Sequence, residues 1–203
     1  DTQGAIAVTM NPTRIAASED GNYYHWNASV QVTDLDGRPV SNQNVTLDVR
    51  AVEFVRGYWE VVEVLGVKEW RQVRTQVCSV PTLDNPSTSH DDRYAVIDSD
   101  TTNRVETLNV VRFIGASESN PHTATYQTDN QGKFDFQLHY PKTYGAWLSV
   151  NVGAKTTLST HPVHGSRIVT LTTLADDYDK TNWAYTPSLN NQSPYGVLGG
   201  TCP

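Results

Sequence analysis

Residues 133–140, "KFDFQLHY", place Phe134, Phe136, Leu138 and Tyr140 on one parity and Lys133, Asp135, Gln137 and His139 on the other. A period of two sends the two sets to opposite faces of an extended chain, so the segment reads as a strand with one buried side. The preceding "TDNQG" supplies a tight turn. Asp129 and Asn130 tolerate left-handed backbone, and Gly132 adopts it without steric cost.

The same alternation recurs along the chain. Ile6, Val8 and Met10 share a parity until Pro12, Asp20 and Gly21 break the pattern. Trp26, Ala28, Val30 and Val32 follow, ending in an Asp36–Gly37 turn, and then Val45, Leu47 and Val49. "GYWEVVEVLGVKEWRQVRTQV" reads as a long hairpin bending near Gly66, with Tyr58, Trp59 and Trp70 giving it aromatic mass. The Ser/Pro/Asn/Asp-rich residues 79–106 read as an extended loop, and "TLNVVRFIGA" as a further strand. "AWLSVNVGAKT" and "SRIVTLTTLA" form two more strands on either side of "STHPVHG". From Asp176 the chain turns polar and rich in Asn, Pro and Gly, so it buries little by itself.

A chain of 203 residues suits one large or two small domains, and β-sandwiches often use this length as one unit. Twenty-two acidic against 15 basic residues give a net charge of −7. With no clustered Lys or Arg, nucleic acid is excluded as an expected partner. No apolar run approaches the roughly 18 residues of a membrane span. The first residues, "DTQGAIAV", lack an initiator Met and a signal peptide, as in a processed, exported chain or one trimmed for expression. Cys78 and Cys202 are the two cysteines, without zinc-ligand spacing. A disulfide is their simplest use and would close a loop of about 125 residues. Two unrelated buried thiols are the alternative.

Little in the chain points to catalysis. "GASES" at 115–119 lacks the second glycine of a nucleophile elbow. His90 beside Asp91 and Asp92 sits in a polar loop, the ordinary setting of a solvated turn. His161 and His164 are three apart, a spacing that does not converge on a strand. His25, His122 and His139 are scattered. Trp26, Trp59, Trp70 and Trp147 fall in expected strands and are assigned to core or hairpin packing. Trp183, Tyr185 and Tyr195 in the tail are the candidates for an exposed contact surface, including glycan stacking.

Three stretches, "AIAVTMNPTRIAASEDG", "ASVQVTDLDGRPVSNQNVTLDV" and "TDNQGKFDFQLHY", the last followed by "GAWLSVNVGA", together resemble a bacterial immunoglobulin-like domain of the Big-1 kind, the module repeated in invasin- and intimin-type surface proteins. A narrower resemblance, to exported bacterial proteins with one such domain, rests on "RGYW" at 56–59, Cys78, "YPKTYGAWLSVNVGA" and "SPYGVLGGTC". It implies pairing of Cys78 with Cys202. Those relatives carry an acidic, calcium-binding-like loop after the first cysteine. Here Asp84, Asp91, Asp92, Asp98 and Asp100 occupy that region without its glycines or regular spacing, so they stand as calcium candidates only, and no other cofactor is expected.

The expectation is an all-β, immunoglobulin-like antiparallel sandwich over 1–175 with a hairpin-and-loop insertion at 51–127. An irregular tail at 176–203 packs on it and is pinned by the disulfide. By analogy the chain is a non-catalytic extracellular or cell-surface protein of a bacterium. It would be a subunit of a surface filament contacting its own copies or other pilus proteins, or a monomeric adhesin binding a glycan or protein. A secreted hydrolase is the third reading. An N-terminal strand, Gln3 to Met10, that pairs inside its own sandwich argues for the monomer. One that inserts into a neighbour argues for the filament.

Overall fold

The computed structural model describes residues 4–80, 94–96, 104–106, 110–117, 119–184, 190–198 and 201–202. Eleven strands are present among them: β1 Gly4–Ala17, β2 Tyr23–Asp34, β3 Asn44–Val64, β4 Val67–Ser79, β5 Tyr94–Val96, β6 Arg104–Glu106, β7 Arg112–Phe113, β8 Thr123–Gln127, β9 Lys133–Pro141, β10 Leu148–Leu158 and β11 His161–Thr170. One sheet runs β1-β2-β9-β7 and the other β11-β10-β3-β4, with β8 also on β3 and every pairing antiparallel. β5 and β6 pair with each other. This is an immunoglobulin-like order, the four-stranded sheet against β11-β10-β3, which β4 and β8 extend to five strands.

The alternation that marks the strands also builds the core. Along β2, Tyr24, Trp26, Ala28, Val30 and Val32 are buried while their neighbours are not. They meet Phe136, Leu138 and Tyr140 of β9 and, from the second sheet, Val45, Leu47 and Val49 of β3 with Val150, Val152 and Ala154 of β10. One layer of apolar side chains between two sheets is the arrangement that buries a period-two pattern on both sides.

β1 belongs to this same sandwich. It pairs with β2 from Gly4↔Asp34 to Met10↔Ala28, and Ile6, Val8 and Met10 point into the core. The strand continues past the expected break. A register shift between Met10 and Ile15 absorbs the extra residues, and pairing resumes to Ala17. On its other side β1 closes against β11. A side chain at Gly165 would sit 2.4 Å from the carbonyl oxygen of Ile6, so only glycine allows the two backbones this close.

The boundary expected at residue 51 falls inside β3, a 21-residue strand that runs from the sandwich into the hairpin without interruption. Its first half pairs with β10 and β8, so residues up to about Phe54 are core, and β7 and β8 return the chain to the two sheets. Within 51–127 the long hairpin is the inserted part, and β7 and β8 belong to the two sheets. What leaves the sandwich is the outer half of β3 with β4, paired from Gly57↔Arg74 to Val64↔Val67. Leu65 and Gly66, both with positive φ (52° and 80°), make a two-residue turn of the kind that matches strand twist. The β10–β11 turn is built likewise from Ser159 and Thr160 (φ 46° and 73°), without the Gly or Asn that would signal it.

The tail docks on the edge of β3 that β10 vacates. Beyond Phe54 the amides of Gly57 and Trp59 donate to Gly196 O and Asn191 O, at 3.0 and 2.8 Å, and Ser193 N donates back to Gly57 O at 2.9 Å. Gly57 has φ 149° and an added Cβ would lie 1.9 Å from Val73 O, so this kink needs glycine. Buried Arg56 fastens the same spot through Nε to Tyr195 O at 3.1 Å and Nη1 to Gln76 Oε1 at 2.6 Å. Cys78 on β4 is bonded to Cys202, which is the pairing the sequence resemblance implies.

Candidate functional site

Where hairpin and tail meet, they enclose a groove of about 500 Å³ lined by Trp59, Trp70, Tyr178 and Trp183, with Lys68, Glu69, Lys180, Thr173 and Ala175 completing it. The hairpin wall follows from register. Val61 faces Trp70 and Trp59 faces Gln72, so Trp59 and Trp70 are diagonal neighbours on one face of the ribbon. Lys68, opposite Glu63, shares that face.

The tail supplies the other wall. Tyr178 stands edge-on to Trp59, 5.1 Å between centroids at 70°, and its hydroxyl lies 2.9 Å from Thr173 Oγ1. Burial raises the Tyr178 phenol above its ordinary pKa. The Trp70 indole N–H donates to Asp179 O at 3.0 Å and ties the two walls together. The Asp179 carboxylate accepts the amides of Thr181 (2.7 Å) and Asn182 (3.0 Å), forming a turn that delivers Trp183 to the groove. The Asn182 and then the Thr181 amide hold this carboxyl below the usual carboxylate range. Trp183 sits 6.3 Å from Trp70. Upstream, buried Lys142 anchors the start of the tail through Asp177 Oδ1 at 2.9 Å, while the Tyr24 hydroxyl donates to Asp177 Oδ2.

Of the three tail aromatics expected at the surface, Trp183 lines the groove and Tyr185 lies outside the described residues. Tyr195 is a correction. Its ring is fully buried, 4.8 Å from Phe54 and 5.7 Å from Tyr144, because the tail turns inward where β10 leaves β3 uncovered. Trp59 and Trp70, assigned to packing alone, contribute half of the aromatic lining. Counting pairs outward from the Leu65–Gly66 turn would have shown that they share a face.

The calcium candidates Asp84, Asp91, Asp92, Asp98 and Asp100, and His90, lie outside the described residues. Among the described residues no three His, Cys, Asp or Glu side chains converge as metal ligands, and no helix is long and apolar enough to cross a membrane. His161 and His164 are three apart on the edge strand β11, so their side chains leave on opposite faces.

His25 and His139, scattered in sequence, face each other across β2 and β9, and Tyr23 stacks on His139 at 4.5 Å. Burial depresses His139 to about 4 from an ordinary 6.5, the charges of Arg112 and His25 act the same way, and Asp20 opposes them. A depressed histidine binds fewer protons folded than unfolded, so stability is lost as pH falls from about 6.5 towards about 4. Part of the ring meets solvent, which makes the effect small. Urea midpoints at pH 7 and pH 5 should therefore fall further for the wild type than for His139→Gln. Parallel shifts in the two proteins would refute this assignment.

No family model matches the chain, and no curated protein matches it. Among solved structures it has a likeness to Spo0M, the sporulation control protein of Bacillus subtilis, with a TM-score of 0.26 and 9% identity. That likeness covers 86% of this chain and 51% of the other, so the chain spans about half the length of that neighbour.

Proposed function

We propose that this chain is a non-catalytic, extracellular module of a bacterial surface, related to the Big-1 immunoglobulin-like domains, and that it acts by adhesion. The fold by itself assigns no activity, so the proposal stands on the site. The observation that carries it is the aromatic groove, four large rings brought together by the hairpin and the tail at the edge of the sandwich. A concave, mostly apolar surface with a few polar groups at its rim is the usual form of a binding site. The Cys78–Cys202 bond fits an oxidising, exported setting. β1 pairs with β2 of its own sandwich, as the single-module reading requires.

One observation favours assembly into filaments instead. The hairpin tip presents Leu65 fully exposed, with Val64 and Val67 at 51% and 66%, an apolar point suited to a neighbouring copy. Light scattering after size exclusion, with negative-stain microscopy of the same fractions, separates the readings. The adhesive module is expected as a 22.5 kDa monomer with and without reductant. Ordered polymers that resist dilution and are lost in Leu65→Lys would replace it with the filament subunit.

A further inference from the structure

We propose that the groove binds a glycan of pyranose rings that includes carboxylate-bearing sugars, an inference that rests on the adhesive reading above. Three observations converge on it. The first is the lining. Trp70 lies between Tyr178 and Trp183, at 6.4 and 6.3 Å and tilted by 50° and 46°, so successive rings present inclined apolar faces. Pyranose rings carry C–H faces that stack on such surfaces and hydroxyl edges that need polar partners, and the groove has both, with Thr173 and Glu69 among its polar groups.

The second is the backbone of Trp183. Its φ is +57°, a left-handed conformation that is an outlier for a bulky side chain. The strain is held in place by the Asp179 turn, and what it achieves is to set one more indole beside Trp70. Strain kept at a surface aromatic points to function, since the core gains nothing from it.

The third is charge. In a chain of net −7, the groove carries Lys68 and Lys180, and among the described residues neither forms an ion pair. Against Glu69, the acidic residue among the described lining residues, the two ammonium groups leave the groove net positive, which complements a ligand with carboxylates. A peptide cannot add a strand to β3 at Gly57–Trp59, because Asn191–Gly196 of the tail already pair there.

The test uses the full chain on a glycan array of uronic- and sialic-acid oligosaccharides beside neutral ones, with a proline-rich peptide as a further probe and calorimetry on the best-retained glycan. Trp183→Gly is the informative variant. Glycine adopts positive φ freely, so the variant should fold with unchanged or higher melting temperature while losing the stacking face. Acidic glycans should be retained preferentially, with affinity down about tenfold or more in Trp183→Gly. Lys68→Gln with Lys180→Gln should erase the preference for acidic over neutral glycans. The inference is overturned if no acidic glycan is held above the Trp183→Gly background, if the lysine variant keeps the preference, or if the proline-rich peptide is held instead. If Trp183→Gly still adheres to cells as the wild type does, the glycan assignment fails and the adhesive reading survives. If the wild type does not adhere, that reading fails with it.

Discussion

Replacing Cys78 and Cys202 with serine is expected to lower the unfolding free energy by about 4–5 kcal/mol, the value that chain entropy assigns to so long a closed loop. The two residues are 124 apart in sequence, so the bond removes conformations from nearly two thirds of the unfolded chain. The native contribution is lopsided. Cys78 is buried under the sandwich edge and Cys202 is exposed at the end of the tail, so serine at 202 costs little packing and most of the effect comes through the unfolded state. For a protein of this size the urea midpoint should move by about 2 M. Residues 191–197 should stay docked in the folded variant, because their hydrogen bonds to Val55, Gly57 and Trp59 and the buried Tyr195 do not depend on the bond. A midpoint unchanged within error would show that the tail carries no cross-link energy in solution.

The second large effect is expected at Lys142. Its side chain is 5% exposed, that of Asp177 is 14% exposed, and the ammonium also lies 5.1 Å from the Tyr24 ring. Lys142→Met removes the cation and leaves a largely desolvated carboxylate with the Tyr24 hydroxyl as its remaining side-chain donor. Breaking a buried pair from one side costs about 3–5 kcal/mol, far more than removing both charges together. The Lys142→Met, Asp177→Leu double variant should therefore recover more than half of the loss of Lys142→Met. If the double variant is as unstable as the two single losses combined, the pair is not acting as a desolvated ion pair. Since Asp177 precedes Tyr178, the single variant should also loosen the groove wall, seen as weaker amide-exchange protection at Tyr178 and Asp179.

The strands were legible because burial imposes its own period. Val30, Val32, Phe136 and Leu138 face the core wherever the alternation placed them, and Gly66 marked the hairpin bend correctly. What could not be read locally depends on pairing between distant segments. The five residues of β8 have little alternation, and they become a strand because β3 offers them an edge at Asn44–Asp48. Tyr195 sits in a segment whose composition promises exposure, yet the end of the β10 pairing at Phe54 leaves a hole that its ring fills. The groove was half visible. Trp183 stood out as a tail aromatic, whereas Trp59 and Trp70 looked like ordinary hairpin packing until the register placed them on one face and the tail crossed it.

Adhesion itself is the claim most open to direct measurement. Beads coated with the full chain would be settled on bacterial lawns and on epithelial monolayers, washed at defined shear and counted, with Trp183→Gly and Leu65→Lys coats alongside. Retention of the wild-type beads on at least one surface is expected, falling about tenfold with Trp183→Gly and unchanged with Leu65→Lys. Equal retention of wild-type and Trp183→Gly beads, or a loss confined to Leu65→Lys, would contradict the groove as the contact surface.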